Sequence, residues 1–374
     1  MSSKEAILVL EDGRVFRGKS FGAQGETFGE LICSTGMTGH QQLATDPANL
    51  GQLMAFVSPH AGSASWDDTD AECAQIRVAG LIVRDPATPT FQESAKDTLE
   101  GQLHAQGVVG IAEIDTRALM RHIRDAGLMR AGISTSTRDE QQLLAKVLEQ
   151  PTAKGNELIG RVAATESRVI PAVGKKSLSV AVIDLGSRDQ KLALLSRIGA
   201  ELHVLPPATS AQQVRELAAD GLLVTDGPGD PAATDTPMEA LSEALGRGLP
   251  VLGIGLGHQL LARALGFETR RMKNGHHGLN LPVLDRRSGR VEITTHNHDF
   301  TVVGEPEAEV DTPYGVARVS HVCLNDDTIE GLELRSGERL VAMSVQFQPQ
   351  GLAGPHDSAH LFERFAQILG RKDA

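Results

Sequence analysis

From about residue 177 the chain alternates short apolar runs with amphipathic segments, and this rhythm limits its fold more than any other feature. SVAVIDLG reads as a buried strand, 190–198 as a helix, LHVLP as a strand and 211–219 as a helix. GLLVTDGPGDP is then a strand running into a Gly/Pro loop, 236–247 a helix, PVLGIG a strand and HQLLARALG a helix. Such alternation builds an open, doubly wound, mostly parallel sheet with helices on both faces. The tail adds β-rich pieces, VEITTHNHDFTVV and RLVAMSVQFQ, and a last amphipathic helix, SAHLFERFAQIL. Chemistry in these sheets collects beyond the carboxyl ends of the strands. Those ends read Asp184-Leu185-Gly186, Asp226-Gly227-Pro228-Gly229-Asp230-Pro231, Gly253-Ile254-Gly255-Leu256-Gly257-His258-Gln259 and Gln346-Phe347-Gln348-Pro349-Gln350.

The first block, 1–150, has a different texture. Residues 6–22 read as strand, turn and strand, with Glu11-Asp12-Gly13 at the turn. Apolar runs at 53–57, 78–83 and 107–111 are strand-like, and 117–124 and 140–149 are helical, the first turning at Gly127. This is a mixed α/β domain without regular alternation. Residues 151–176 carry no sustained period and read as the connection to the second domain, 177–374. A chain of 374 residues suits two domains of this size.

Charge narrows the function classes. Lys+Arg total 36 against Asp+Glu 48, a net charge of −12, which opposes general nucleic-acid binding. With Phe 10, Trp 1 and Tyr 1, platforms for stacking bases are scarce too. No apolar run is long enough to span a bilayer and the N-terminus lacks a signal-peptide pattern, so the expectation is a cytoplasmic protein with no membrane partner. Cys33, Cys73 and Cys323 are scattered and form no CxxC pair, which disfavours a disulfide framework or structural zinc site. Cys33 lies in a strand-like apolar segment and reads as a core residue.

Gly253-Ile254-Gly255-Leu256-Gly257 imitates a dinucleotide-binding loop. The pattern GxGxxG, however, wants glycine where His258 stands, and the segment ends a late strand rather than opening the first βαβ unit. No cofactor is expected. His276-His277 and His296/His298 have spacings that place imidazoles together, yet no Cys or paired carboxylate nearby completes a metal shell. They read as histidines in hydrogen-bonded turns, with no metal. Of the acidic run Asp67, Asp68, Asp70 and Glu72, the expectation is a solvated loop.

STGMTGHQQLATDP (34–47), TDGPGDP (225–231), GIGLGHQLLARALG (253–266) and MKNGHHGLNLPV (272–283) occur in that order, followed by TTHNHDF (294–300) and QFQPQ…GPHD (346–357). Together they resemble the small subunit of carbamoyl-phosphate synthase over nearly the whole chain. The resemblance implies an N-terminal domain peculiar to that subunit, followed by a class I glutamine amidotransferase domain. It also implies an activity: glutamine hydrolysis, with ammonia passed through a tunnel to a large subunit that consumes bicarbonate and ATP.

That chemistry needs a thiolate at a strand-to-helix turn, where a helix N-terminus lowers its pKa and backbone N–H groups form an oxyanion hole. It also needs a histidine base oriented by a carboxylate. Here the family's Cys is Gly255 and its His-Pro-Glu is Gln348-Pro349-Gln350. Glycine has no nucleophile, and amides do not shuttle protons near neutral pH. Two glutamine-binding positions depart as well: the Ser of the STGMTG-type segment is Gly36, and the Gly after Asn297-His298 is Asp299. Motif matching retains Gly227, Gly229, Leu256, Gln259, Asn297 and Phe300. His258 belongs to the turn and has no nucleophile to activate.

The reading is a small-chain homologue that has lost glutamine hydrolysis and acts as a non-catalytic subunit of a large synthetase chain, serving arginine and pyrimidine synthesis. One alternative is a regulatory protein that binds glutamine or another small molecule in the altered cleft. Another is a glutaminase with a relocated nucleophile.

Overall fold

The computed structural model describes residues 5–63, 66–67, 71–87, 97–151, 158–187, 189–350 and 355–370. Asp68 and Asp70 of the acidic run, and 351–354 of the last motif, lie outside these. The chain divides into two compact units, Met1–Thr152 with Lys273–Gly278, and Ala153–Met272 with Leu279–Ala374.

In the first unit, β1 (Glu5–Leu10), β2 (Val15–Gly22), β3 (Glu26–Ser34), β4 (Leu53–Phe56), β5 (Gly80–Val83), β6 (Val109–Ala112) and β7 (Met129–Ser134) close a barrel. Its order is β1-β2-β6-β5-β4-β3-β7. The expected β1–turn–β2 hairpin is present, with Leu8 opposite Phe16. β3 through β6 run parallel, while β7 closes the ring antiparallel to both β1 and β3. Leu8, Leu31, Leu53, Ile82, Ile111 and Ile133 fill one core of this unit. Helices α1 (His40–Thr45), α2 (Leu99–Ala105), α3 (Thr116–Ala126) and α4 (Glu140–Glu149) join the strands. Asp115 and Asp139 cap α3 and α4 by accepting from the N–H groups of Ala118 and Gln142, which fixes where these helices start.

The second unit is built on one eleven-stranded sheet. Its strands are β8 (Arg168–Ile170), β9 (Leu178–Ile183), β10 (Ala200–Leu205), β11 (Gly221–Val224), β12 (Val251–Ile254), β13 (Glu268–Asp285), β14 (Arg290–Val303), β15 (Glu309–Thr312), β16 (Gly315–Cys323), β17 (Ile329–Ser336) and β18 (Arg339–Val345). The order is β15-β16-β13-β14-β17-β18-β12-β11-β9-β10-β8. β10, β9, β11, β12 and β18 are the parallel part, and antiparallel strands extend it on both sides. Period-two alternation splits this part between two cores. Ala181, Ile183, Leu222 and Val224 meet α6 (Ala211–Glu216), α7 (Met238–Gly246) and α8 (Leu256–Ala264) on one face. Val180, Val182, Leu223 and Leu252 meet α5 (Asp189–Arg197) and α9 (His360–Gly370) on the other.

One expectation needs correcting. The stretch 151–176 is not merely a connection: β8 pairs antiparallel with β10, and Ile159 is buried in the second unit's core. Three short residues on an edge are too few to show a period, so the sequence carried no signal for β8. No helix among the described residues is long and apolar enough to cross a membrane.

Candidate functional site

Parallel register brings the motif segments to one edge of the second sheet. Val224 pairs with Ile183 and Gly253, and Ile254 pairs with Val345. The residues that follow each strand, Asp184–Gly186, Thr225–Gly229, Gly255 and Gln346–Gln350, therefore leave at the same end.

At the centre of that edge β12 turns into α8 through Gly255, whose backbone lies at φ 56, ψ −114. This is a sharp strand-to-helix elbow in a region that disfavours any residue with a β-carbon. The N–H of Gly255 donates to Val345 O at 2.9 Å, and its carbonyl accepts from His258 N and Gln259 N, which starts the helix. Packing demands the adjoining glycine: a β-carbon on Gly257 would run into the Val224 carbonyl oxygen. A β-carbon on Gly255 would stand 2.6 Å from Asp226 Cβ, so Asp226 occupies the ground in front of the elbow. Asp226 is held there by Lys191 on α5, Nζ to Oδ1 2.6 Å, and both side chains are buried. Asp226 opens one of the strand-end segments read from the sequence, whereas Lys191 was no candidate. A lysine in the apolar run Lys191-Leu192-Ala193-Leu194-Leu195 was the one available signal.

Gln348 and Gln350 are both buried, and Gln350 Nε2 donates to Gln348 Oε1 at 3.2 Å. Gln348 is fixed by its backbone N–H, which donates to Thr295 O at 2.9 Å. Gln259, on α8, donates through Nε2 to Gln346 Oε1 (2.9 Å) and Phe300 O (3.0 Å), tying the helix to β14. The result is a lattice of neutral carboxamides that fixes geometry and carries no proton between ordinary pH limits. Gly227 packs on the Leu185 carbonyl, Gly229 follows in the same loop, and Leu256 is buried as the first residue of α8. Asn297, Asp299 and Phe300 lie on β14, each half-buried. Gly36 belongs to the first unit, where its carbonyl accepts from Ser58 Oγ at 2.7 Å.

His258 is wholly buried, with Nδ1 2.8 Å from Ser344 Oγ. Burial first, and the charge of His321 second, push its pKa down to about 3. It is a neutral core imidazole, in line with its reading as part of the turn. Among the cysteines, all three of which are free, burial pushes Cys33 and Cys323 up to about 12. The Cys73 sulfur lies 3.0 Å from Thr45 O and 3.1 Å from Gln75 O, and accepts from Arg77 Nε at 3.2 Å.

The histidine pairs depart from expectation. They sit on strands rather than turns, His276 and His277 on β13 and His296 and His298 on β14. His296 and His298 are buried, and Glu330 of β17 reaches them, with Oε2 3.5 Å from His296 Nδ1. The carboxylate that the sequence around the histidines lacked arrives from a distant strand.

Comparison with known proteins agrees with both halves of the chain. The family description "Carbamoyl-phosphate synthase small chain, CPSase domain" matches residues 8–133, and "Glutamine amidotransferase class-I" matches 181–368. The chain is 47% identical over 366 residues to a Carbamoyl phosphate synthase small chain of Streptomyces coelicolor, covering 97% of this chain and 96% of that one. Small chains of Mycobacterium tuberculosis (42% over 372 residues, 98% of each) and Corynebacterium diphtheriae (40% over 370, 98% and 97%) are similar over the same extent. The relatives carry the name of ordinary small chains. By its two domains, their order and this full-length likeness, the chain belongs to the carbamoyl-phosphate synthase small-chain family.

Proposed function

We propose that this chain is a small chain without glutaminase activity, which takes the small chain's place on a large synthetase chain and supports carbamoyl-phosphate synthesis from ammonia. The observation that carries this reading is Gly255. A residue with no side chain stands at the elbow, and the space a nucleophile would enter is taken by Asp226 Cβ, 2.6 Å from the would-be β-carbon. Hydrolysis also needs a group that removes the thiol proton and returns it to departing ammonia. Gln348 and Gln350, at the positions of base and orienting carboxylate, offer only amides. Cys33 and Cys323, held near 12, supply almost no thiolate at neutral pH and are poor candidates for a relocated nucleophile.

The glutamine-site positions follow the same pattern. Gly227, Gly229, Leu256, Gln259, Asn297 and Phe300 keep the family's residues, while Gly36 loses a hydroxyl and Asp299 adds a carboxylate. A frame preserved around lost chemistry fits a chain retained for its partner. That partner is a large synthetase chain, and the setting is arginine and pyrimidine synthesis in the cytoplasm.

The test is co-expression with the large chain, followed by size-exclusion chromatography and synthesis assays. The two chains are expected to co-elute and to make carbamoyl phosphate from ammonia but not from glutamine. Separate elution, or glutamine-dependent synthesis above that of the large chain alone, would overturn the proposal.

A further inference from the structure

Two residues apart on β14, His296 and His298 project from the same face of the strand, and β17, which pairs with β14, brings Glu330 against them. All three side chains are buried, with exposures of 0%, 4% and 0%. His296 Nδ1 is 3.2 Å from His298 Nε2 and 3.5 Å from Glu330 Oε2, and His298 Nε2 is 3.9 Å from Glu330 Oε1.

Outer hydrogen bonds fix what these nitrogens offer. His298 Nδ1 lies 2.9 Å from Phe300 O, which only accepts, so that nitrogen carries the ring's proton. The Thr294 hydroxyl donates to Leu281 O at 3.0 Å, so its oxygen is left to accept from His296 Nε2 at 2.7 Å. With those outer bonds made, a metal ion among the three side chains would meet His296 Nδ1 and His298 Nε2 as its imidazole ligands.

The spacing suits a metal ion. Ligand atoms held tetrahedrally at about 2.0–2.1 Å from zinc stand roughly 3.3–3.4 Å apart. The observed 3.2 Å between the two nitrogens and 3.5 Å from His296 Nδ1 to Glu330 Oε2 are close to that edge, and the other carboxylate oxygen, Oε1, lies 3.9 Å from His298 Nε2. We propose that His296, His298 and Glu330 form a binding site for a first-row divalent cation, Zn(II) above all. Two imidazoles favour Zn(II), Co(II) or Ni(II) over Mg(II) or Ca(II), which take oxygen ligands. The Thr294–Leu281 relay and the Phe300 carbonyl supply the outer bonds that orient metal-bound histidines. Bound metal ties β14 to β17. It also braces the Phe300 carbonyl, which Gln259 shares, behind Asn297 and Asp299.

The experiment uses the full-length chain, stripped with chelator, reloaded with Zn(II) or Co(II), and freed of excess by gel filtration. The expected results are stoichiometric retained Zn(II) by mass spectrometry, visible Co(II) bands of a four-coordinate site, and a higher melting temperature with Zn(II) but not Mg(II). His296→Gln and Glu330→Gln should each lose the retained metal, while His203→Gln, beside Glu201 elsewhere in the unit, keeps it. Thr294→Val leaves all three ligands in place and should weaken Zn(II) by about 10–100-fold. It decides the matter if a ligand variant fails to fold by circular dichroism. Wild-type protein that retains no stoichiometric Zn(II), as a proton shared by the cluster would give, overturns the proposal. So does retention unchanged by these substitutions.

Discussion

A β-carbon at residue 255 meets two penalties at once. The backbone at φ 56 costs a non-glycine residue about 1–3 kcal/mol, and the 2.6 Å approach to Asp226 Cβ adds repulsion to it. Gly255→Ala should therefore lower the melting temperature, and an unchanged or higher value would contradict the elbow. The pair behind it is equally testable. Removing one partner of a buried ion pair costs about 3–5 kcal/mol, whereas removing both charges is far milder. Lys191→Met should lose stability on that scale in urea denaturation, and Lys191→Met with Asp226→Asn should recover most of it. If the single variant matched the parent, the pair would not be what holds Asp226 at the elbow. At this scale the sequence was legible in placing Gly255, Gln348 and Gln350 just beyond the ends of parallel strands. It was silent on the Lys191–Asp226 pair, because residues 35 apart in sequence declare no contact until the sheet brings α5 over β11.

On the proposed reading, glutaminase activity requires the elbow and the strand end beside it to be rebuilt together. Gly255→Cys with Gln348→His and Gln350→Glu supplies nucleophile, base and carboxylate, but leaves the new β-carbon against Asp226. That triple variant should release no glutamate from glutamine. Adding Asp226→Gly and Lys191→Met clears the space, and activity should appear only then, since residues acting as a unit are strongly non-additive. Activity from Gly255→Cys alone would refute the roles given to Gln348 and Gln350. Element by element, strands and helices of the second unit were readable because each buries a full face with its own period. The barrel's closure was not, because β7 returns to both β1 and β3 across long sequence separations. Glu330 escaped notice for the same reason: it reads as one acidic residue in IEGLELRS, and only β14–β17 pairing sets it beside two histidines.

Across the whole molecule, buried neutral histidines tie stability to pH. Burial lowers His40 and His321 to about 4, and His258 to about 3, from an ordinary 6.5. Their native pKa values lie below the unfolded ones, so the unfolded chain binds more protons as the solution is acidified. Their contribution is complete above about pH 6.5 and is lost as pH falls towards 4, by roughly 1.4 kcal/mol per pH unit for each histidine. Urea midpoints should fall steadily from pH 7 to pH 5, and His321→Gln should flatten the slope; a midpoint independent of pH would contradict this. Whether the family's chemistry has been lost while its architecture persists is decided by glutamate release from glutamine. The assay takes the full chain bound to its large chain, with ammonia-dependent synthesis as proof of a competent complex. The expected result is no glutamate above the large chain alone; glutamate formed in step with carbamoyl phosphate would contradict the account.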